Sequence, residues 1–408
     1  MNPWWTIFHS ILVLYFPNVL SFNISPVIKV DKSKFDPDTH YYHFHDDGTP
    51  YETPVLIENA LSIEECDTIC NGLLNEVGKE VVDLQHKFVD EEEKDETREV
   101  QTEIIKCHLE DAFSYMMESE HGDSFFCFSE GILNEYEHLN PRYAKECLFQ
   151  GCDLSSLDSD VYKRDIFDFF PHGVKPTDCL VVSGMGSSST LHRDPFLWTG
   201  TSICLEGTKV WRFIAPPGAL STSNTKDDVM AESGVSCVDK LLDAYRLESA
   251  AWGDYNLSSG WQSNFTLYDV RDKSVPSAEE LSFMEEEDNV KKLKWIETIA
   301  SSLEKLQPSS DMPQTYPGGE EVTIFSVVQK PGDLLVIPAY WWHQTYALEP
   351  SIAIASQRGG LKRDAERIFH HVLETTRQSC KKIPGYFQNQ NMNDVTPKDI
   401  VDDLFALL

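Results

Sequence analysis

Three residues of this chain have the types and spacing of a metal-binding face. His192-Arg193-Asp194 follows a Gly/Ser turn. On an extended segment residues two apart point to the same side, so this imidazole and this carboxylate converge. A third ligand from a distant strand would complete a face of two histidines and one carboxylate. Such a face suits Fe(II), because three positions stay open for a chelating co-substrate and dioxygen. His343 is the candidate third ligand. It ends the stretch that runs from Pro331-Gly332-Asp333 through Leu334-Leu335-Val336-Ile337-Pro338 to Trp341-Trp342-His343. A histidine beside two tryptophans is poorly explained as a solvated surface residue. The bland alternatives are a surface His-x-Asp triplet and a core histidine bonded to a carbonyl.

Other metal patterns are weaker. His43-Phe44-His45 has no partner motif and sits in a polar lead-in. His370-His371 lies in a helical stretch, where neighbours point apart. No Gly-x-x-x-x-Gly-Lys loop, Gly-x-Ser-x-Gly elbow or His-Glu-x-x-His helix occurs.

The elements that must position these residues are mostly strands. Phe125–Phe128, Cys179–Ser183, Thr201–Leu205 and Lys209–Ala215 are short apolar runs punctuated by Gly184-Met185-Gly186, Glu206-Gly207 and Pro216-Pro217-Gly218. Strand texture returns at Val322–Val328, Leu334–Ile337 and Ile352–Ser356. The expected fold is mainly β with flanking helices, a β-sandwich or barrel.

Around it, residues 1–21 read as a signal segment and 22–120 as an extended and helical region. In that region Ser62 and Glu65 form a capping box ahead of Ile63, Cys66, Ile69, Cys70, Leu73, Leu74 and Val77 at helical spacing. Residues 100–118 also read as helical. The β domain divides into a first half, 121–218, and a second half, 321–360. Between them, 219–320 is an acidic, partly helical insertion whose helix is lined by Val290, Leu293, Ile296, Ile299, Leu303 and Leu306. Its position suits a lid or a docking surface. Residues 361–408 read as C-terminal helices and offer a homodimer surface.

With both halves in view, the chain resembles the jumonji-C oxygenases. The resemblance rests on Gly184 to Pro217, with His192-Arg193-Asp194 and Glu206-Gly207-Thr208-Lys209-Val210-Trp211-Arg212-Phe213, and on Pro331 to His343, in that order. It is most similar to the cupin-like, asparaginyl-hydroxylase-like branch. The resemblance implies a double-stranded β-helix (cupin/jelly-roll) core. It implies Fe(II) on His192, Asp194 and His343, with 2-oxoglutarate and dioxygen as co-substrates and ascorbate as an accompanying reductant. It also implies that Lys209 pairs with the distal carboxylate of 2-oxoglutarate. Ser189 or Thr190 would bond the co-substrate by a hydroxyl, and Gln357 would help hold it or a water. Trp198, Trp211 and Tyr340 are candidate pocket walls.

The implied reaction is oxidative decarboxylation of 2-oxoglutarate coupled to hydroxylation of a C–H bond. Hydroxylation of a protein side chain is the first expectation, and demethylation of N-methyl Lys or Arg is the alternative. A non-catalytic cupin-like binding module is the rival from another class. The complete set His192, Asp194, His343 and Lys209 argues against it.

Composition narrows the partners. Asp plus Glu number 67 against 34 Lys plus Arg, a net charge of −33 that repels phosphate backbones. Nucleic acid is therefore not an expected partner, whereas a basic protein or peptide is. The apolar run Ile11 to Phe16, with Val19 and Ser21 at cleavage spacing, predicts a secretory address; an uncleaved membrane anchor is the alternative. Sequons at Asn23, Asn256 and Asn264 are consistent with a glycoprotein. Cys147 and Cys152 are candidates for a disulfide, while Cys66 and Cys70 read as core residues on a helix.

Overall fold

A computed structural model describes residues 22–44, 50–89, 100–118, 124–141, 177–194, 198–215, 220, 247–251, 259–263, 266–268, 289–308, 312, 314–315, 321–339 and 341–358. The signal segment, the C-terminal helices, Tyr340, His45, His370, His371, Asn256, Asn264, Cys147 and Cys152 fall outside these residues.

Strand alternation explains the architecture. The N-terminal region supplies β1 (Asn23–Pro26), β2 (Ile28–Asp31), β3 (Tyr42–Phe44), β4 (Pro50–Glu52) and β5 (Val55–Glu58). It continues with β6 (Val81–Val89), β7 (Val100–His108) and β8 (Ser124–Glu130). The first half of the β domain contributes β9 (Cys179–Ser183), β10 (Leu191–Arg193), β11 (Thr199–Glu206) and β12 (Lys209–Ile214). The insertion adds β13 (Leu247–Ala251) and β14 (Ser259–Ser263), and the second half gives β15 (Thr323–Gln329), β16 (Leu334–Ile337), β17 (Trp342–Ala347) and β18 (Ser351–Arg358).

Two sheets face each other. The minor sheet runs β1-β15-β12-β17-β10-β14-β13 and the major sheet β2-β5-β16-β11-β18-β9-β8-β6-β7. In both, strands of the second half slot between strands of the first. That interleaving is a double-stranded β-helix, as expected, and it brings distant halves of the chain into register.

Along β12, Trp211 and Phe213 turn inward onto Leu335, Ile337 and Trp341, while Val210 and Ile214 turn outward. Along β16, Leu335 and Ile337 face the interior, and Leu334 and Val336 face the helices behind the major sheet. Strands covered on both faces read as unbroken apolar runs rather than alternating ones. All four residues of Leu334–Ile337 are buried. The turn before them needs Gly332, whose φ is +86° and whose Cβ, if present, would meet the Leu61 carbonyl oxygen at 2.5 Å.

Helices cover the outer faces. α1 (Ile63–Gly72) starts at the expected capping box, with the Glu65 N–H donating to Ser62 Oγ at 3.2 Å and the Ser62 N–H to Glu65 Oε2 at 2.7 Å. Cys66 is buried and Cys70 half-buried, and both are free thiols. α2 (Leu109–Glu118) packs on the same side. Residues 100–108 are not helical, contrary to the expectation. They form β7, paired along its length with β6. Ile105 and Cys107 pack on the core beneath the helices while Thr102, Ile104 and Lys106 stand exposed on the opposite face, an alternation of period two that a short apolar window does not separate from a helix.

The helix of the insertion is not over the mouth of the cavity but behind the minor sheet, while β13 and β14 extend that sheet beside β10. α3 (Asn289–Lys305) lies on the outer face of the minor sheet, burying Ile296, Ile299, Ala300 and Leu303 against Val210, Ile214 and Ile324. Among the described residues no helix is long and apolar enough to cross a membrane.

Candidate metal centre

β10 and β17 are adjacent and antiparallel, with His192 directly opposite His343. Asp194 follows two residues after His192, on the same side. The result is a cluster whose ligand atoms all lie within 4.8 Å of one another. Asp194 Oδ1 stands 3.9 Å from His192 Nε2 and 3.8 Å from His343 Nε2.

Each ring is oriented from behind. His192 Nδ1 lies 2.7 Å from the Thr190 carbonyl oxygen and His343 Nδ1 lies 3.1 Å from that of Trp341. A carbonyl only accepts, so each Nδ1 carries the proton and each Nε2 lone pair points at the shared centre. Burial, with His192 beside it, pushes the His343 pKa down to about 4, so this ring is neutral at neutral pH. Neutral imidazoles and a carboxylate are the donors a divalent first-row metal takes. Donors adjacent around a metal ion lie roughly 3 Å apart, so binding would ask each histidine–carboxylate pair to close by about 1 Å. The residues present fit the ion.

Close packing keeps Asp194 in place. A Cβ on Gly200 would lie 2.9 Å from Asp194 Oδ2 and 3.3 Å from Ile337 Cβ, so only glycine leaves room there.

The cluster opens into a cavity of about 460 Å³. Lys209, Ser189, Thr190 and Gln357 line it together with His192, Asp194 and His343. Lys209 is 3% exposed, and among the described residues no carboxylate pairs with it. Burial lowers its pKa to about 8, which leaves it mostly an ammonium ion at neutral pH. Ser189 is tied to β17: its Oγ accepts from the Thr345 N–H at 3.0 Å. Thr190 is exposed, and its carbonyl serves His192. Gln357 is half-buried opposite Gly200 and donates weakly to Cys179 Sγ at 3.9 Å.

Of the candidate walls, Trp211 lines the cavity, with its ring centroid 6.0 Å from that of His343. Its indole N–H donates to Gln329 Oε1 at 2.8 Å, and Gln329 Nε2 donates across to the Ser202 and Asp333 carbonyls. Trp198 is buried elsewhere. His43 lies in the β3–β4 hairpin within 3.1 Å of Thr53 Oγ1, and among the described residues it joins no ligand cluster.

Sequence reasoning missed several residues. Thr345 lines the cavity and was within reach, being two places beyond His343 on the same strand. Gln344 and Arg212 were not. They point outward from β17 and β12, opposite one another. Gln344 Oε1 accepts from the Leu267 N–H at 2.6 Å, and its Nε2 donates to the Ser189 carbonyl at 2.9 Å. Arg212 is fully buried, donates to the carbonyls of Leu267 and Leu306, and lies over the Tyr268 ring at 5.4 Å. Together they fasten the insertion to the strands that carry His343 and Lys209.

The cupin-like domain family is matched over residues 43–356, a span that contains His192, Asp194, His343, Lys209, Ser189 and Thr190 and ends one residue before Gln357. No curated protein matches the chain at a significant level.

Proposed function

Since the chain belongs to the cupin-like domain family, we propose that it is an Fe(II)- and 2-oxoglutarate-dependent dioxygenase of the jumonji-C type. We assign its substrate to a protein side chain met in the secretory pathway. The observation that carries this reading is one cavity holding two oriented imidazoles and a carboxylate at one place and, at another, a buried ammonium that no carboxylate among the described residues pairs with. A buried cation kept without a counter-ion is costly unless a ligand supplies the opposite charge.

His192, Asp194 and His343 would hold the iron on one face. Bound iron supplies redox chemistry with dioxygen, and the overall change is 2-oxoglutarate, dioxygen and a C–H bond giving succinate, CO2 and an alcohol. The chain's own part is positional. Lys209 receives the distal carboxylate, and the Ser189 or Thr190 hydroxyl and Gln357 are placed to orient the diacid. Trp211 and Ile337 exclude water from one wall. The asparaginyl-hydroxylase-like branch fits the order of the motifs around His192 and His343. The apolar run at Ile11–Phe16, with Val19 and Ser21 at cleavage spacing, is what supports a secretory address.

The test is succinate formation from 2-oxoglutarate under air with Fe(II) and ascorbate. The wild-type chain is expected to form it and His192→Ala is not. An anaerobic titration with Fe(II) and 2-oxoglutarate should develop a weak visible charge-transfer band. Undiminished succinate from the variant would overturn the assigned centre.

A further inference from the structure

The inner face of the major sheet does not stop at the barrel. From β9 it runs on through β8 and β6 to the edge strand β7. Phe128 pairs with Val181, Phe126 with Ser183 and with Gln85, and Gln85 with Ile104. Paired residues share a face, so these side chains form one surface. The other face of the same strands carries Leu84, Phe125, Cys127 and Val182, all buried in the core beneath α1 and α2.

Phe126, Phe128, Gln85 and Thr102 line the same cavity as the metal cluster. Beyond them, Ile104 is 55% and Val81 63% exposed on that face. A small diacid held by Lys209 cannot fill this space, which has the size that encloses drug-sized ligands (roughly 300–1,000 Å³). Nor does the wall close around a small second molecule. It passes from the reacting centre onto open surface, where Ile104 and Val81 stand exposed on either side of the Asp83–Lys106 ion pair (3.1 Å), an apolar and polar mixture that suits a larger partner.

Resting on the oxygenase reading, we propose that β6, β7 and β8 are the platform for an extended polypeptide substrate. Phe126 and Phe128 seat one large apolar side chain of that segment. Gln85 and Thr102 offer its backbone both donors and acceptors. β8 stands three strands from β11, on the order of 14 Å across the sheet. The apolar anchor therefore lies at least about four residues from the residue that is oxidised, at ~3.4 Å per residue. The chain's net charge of −33 favours segments with basic residues around that anchor.

The test is selection of a random dodecapeptide display library on the full chain with Mn(II) and 2-oxoglutarate present. Enriched sequences should share one large apolar residue, and a labelled consensus peptide should bind measurably by fluorescence anisotropy. Phe126→Ser with Phe128→Ser should weaken that binding at least about tenfold, the scale of losing one buried aromatic contact. Ile104→Asp, whose side chain lies outside the core, provides a second variant should the first fold poorly. Ile63→Ser, exposed on α1 behind the sheet, should have no effect. No enriched peptide, or peptides that bind both platform variants as they bind wild type, would overturn the proposal. Mn(II) and 2-oxoglutarate binding, measured on the same proteins, should be unchanged. Loss of those two in the wild-type chain while peptide binding persists would refute the oxygenase reading and leave the platform as a peptide site.

Discussion

His192 and His343 are direct cross-strand partners, and their ring centroids lie 4.2 Å apart at an interplanar angle of 57°. Two residues 151 positions apart in the chain thus become neighbours through a single antiparallel pairing. The pairing sets their spacing, the carbonyls of Thr190 and Trp341 set their rotation, and Asp194 completes the face.

Removing any one of these three ligands should cost metal affinity. His192→Ala, Asp194→Ala and His343→Ala are each expected to weaken Mn(II) binding by more than about 100-fold, since outer partners alone are worth about 10–100-fold. Anaerobic calorimetric titration checks this.

Gly200→Ala should damage the centre without removing a ligand. The new methyl group would press on the Asp194 carboxylate at 2.9 Å and on Ile337 at 3.3 Å. Weaker Mn(II) binding with a melting temperature close to wild type is the expected pair of results. An unchanged affinity would show that the carboxylate moves aside freely.

Lys209→Met should abolish tight binding of 2-oxoglutarate while leaving Mn(II) affinity intact. A buried charge pair of this kind is worth about 2–5 kcal/mol, hence roughly 30-fold or more in Kd. Because burial holds the free amine near 8, the wild-type chain should lose affinity for the diacid as pH rises above about 8. Lys209→Met should show no such decline.

His343 makes the metal-free fold sensitive to acid. Its pKa falls from 6.5 to about 4 on folding, chiefly through burial. Below 6.5 the unfolded chain binds a proton that the folded chain refuses, so stability drops as pH falls from 6.5 towards 4 and levels off beneath. At 1.36 kcal/mol per unit the loss is on the order of 3 kcal/mol. Urea denaturation of the metal-free protein at several pH values should show it, and His343→Phe should reduce it.

The clamp behind the site should matter for stability. Gln344→Leu leaves the Leu267 N–H and the Ser189 carbonyl without their side-chain partner, at a cost of about 2–4 kcal/mol. Arg212→Met exposes the Leu267 and Leu306 carbonyls to the same penalty. Both variants should shift the urea midpoint. Gln344→Leu should also weaken Mn(II) binding, because Ser189 leads directly into Thr190 and His192.

The residues with a chemical signature were legible in the sequence. His192, Asp194, His343 and Lys209 stand in motifs whose spacing follows from strand geometry, and short apolar runs bounded by turn residues also marked β9, β11, β12, β15, β16 and β18. Helix α1 announced itself through Ser62 and Glu65. β7 did not, because its run of apolar and polar residues satisfies a helical window nearly as well. β13 and β14 were also missed, inside a stretch whose acidic composition resembles a solvated insertion.

By itself the sequence determined which donors exist and that each is flanked by strand-forming residues, since residue type and alternation are local properties. Only the tertiary structure decided which of them meet. The opposition of His192 to His343, the contact of Gly200 with Asp194 and the run of Phe126 and Phe128 into the metal cavity all depend on inter-strand register. Register comes from burying both faces of two interleaved sheets at once, a condition no single segment of the chain carries.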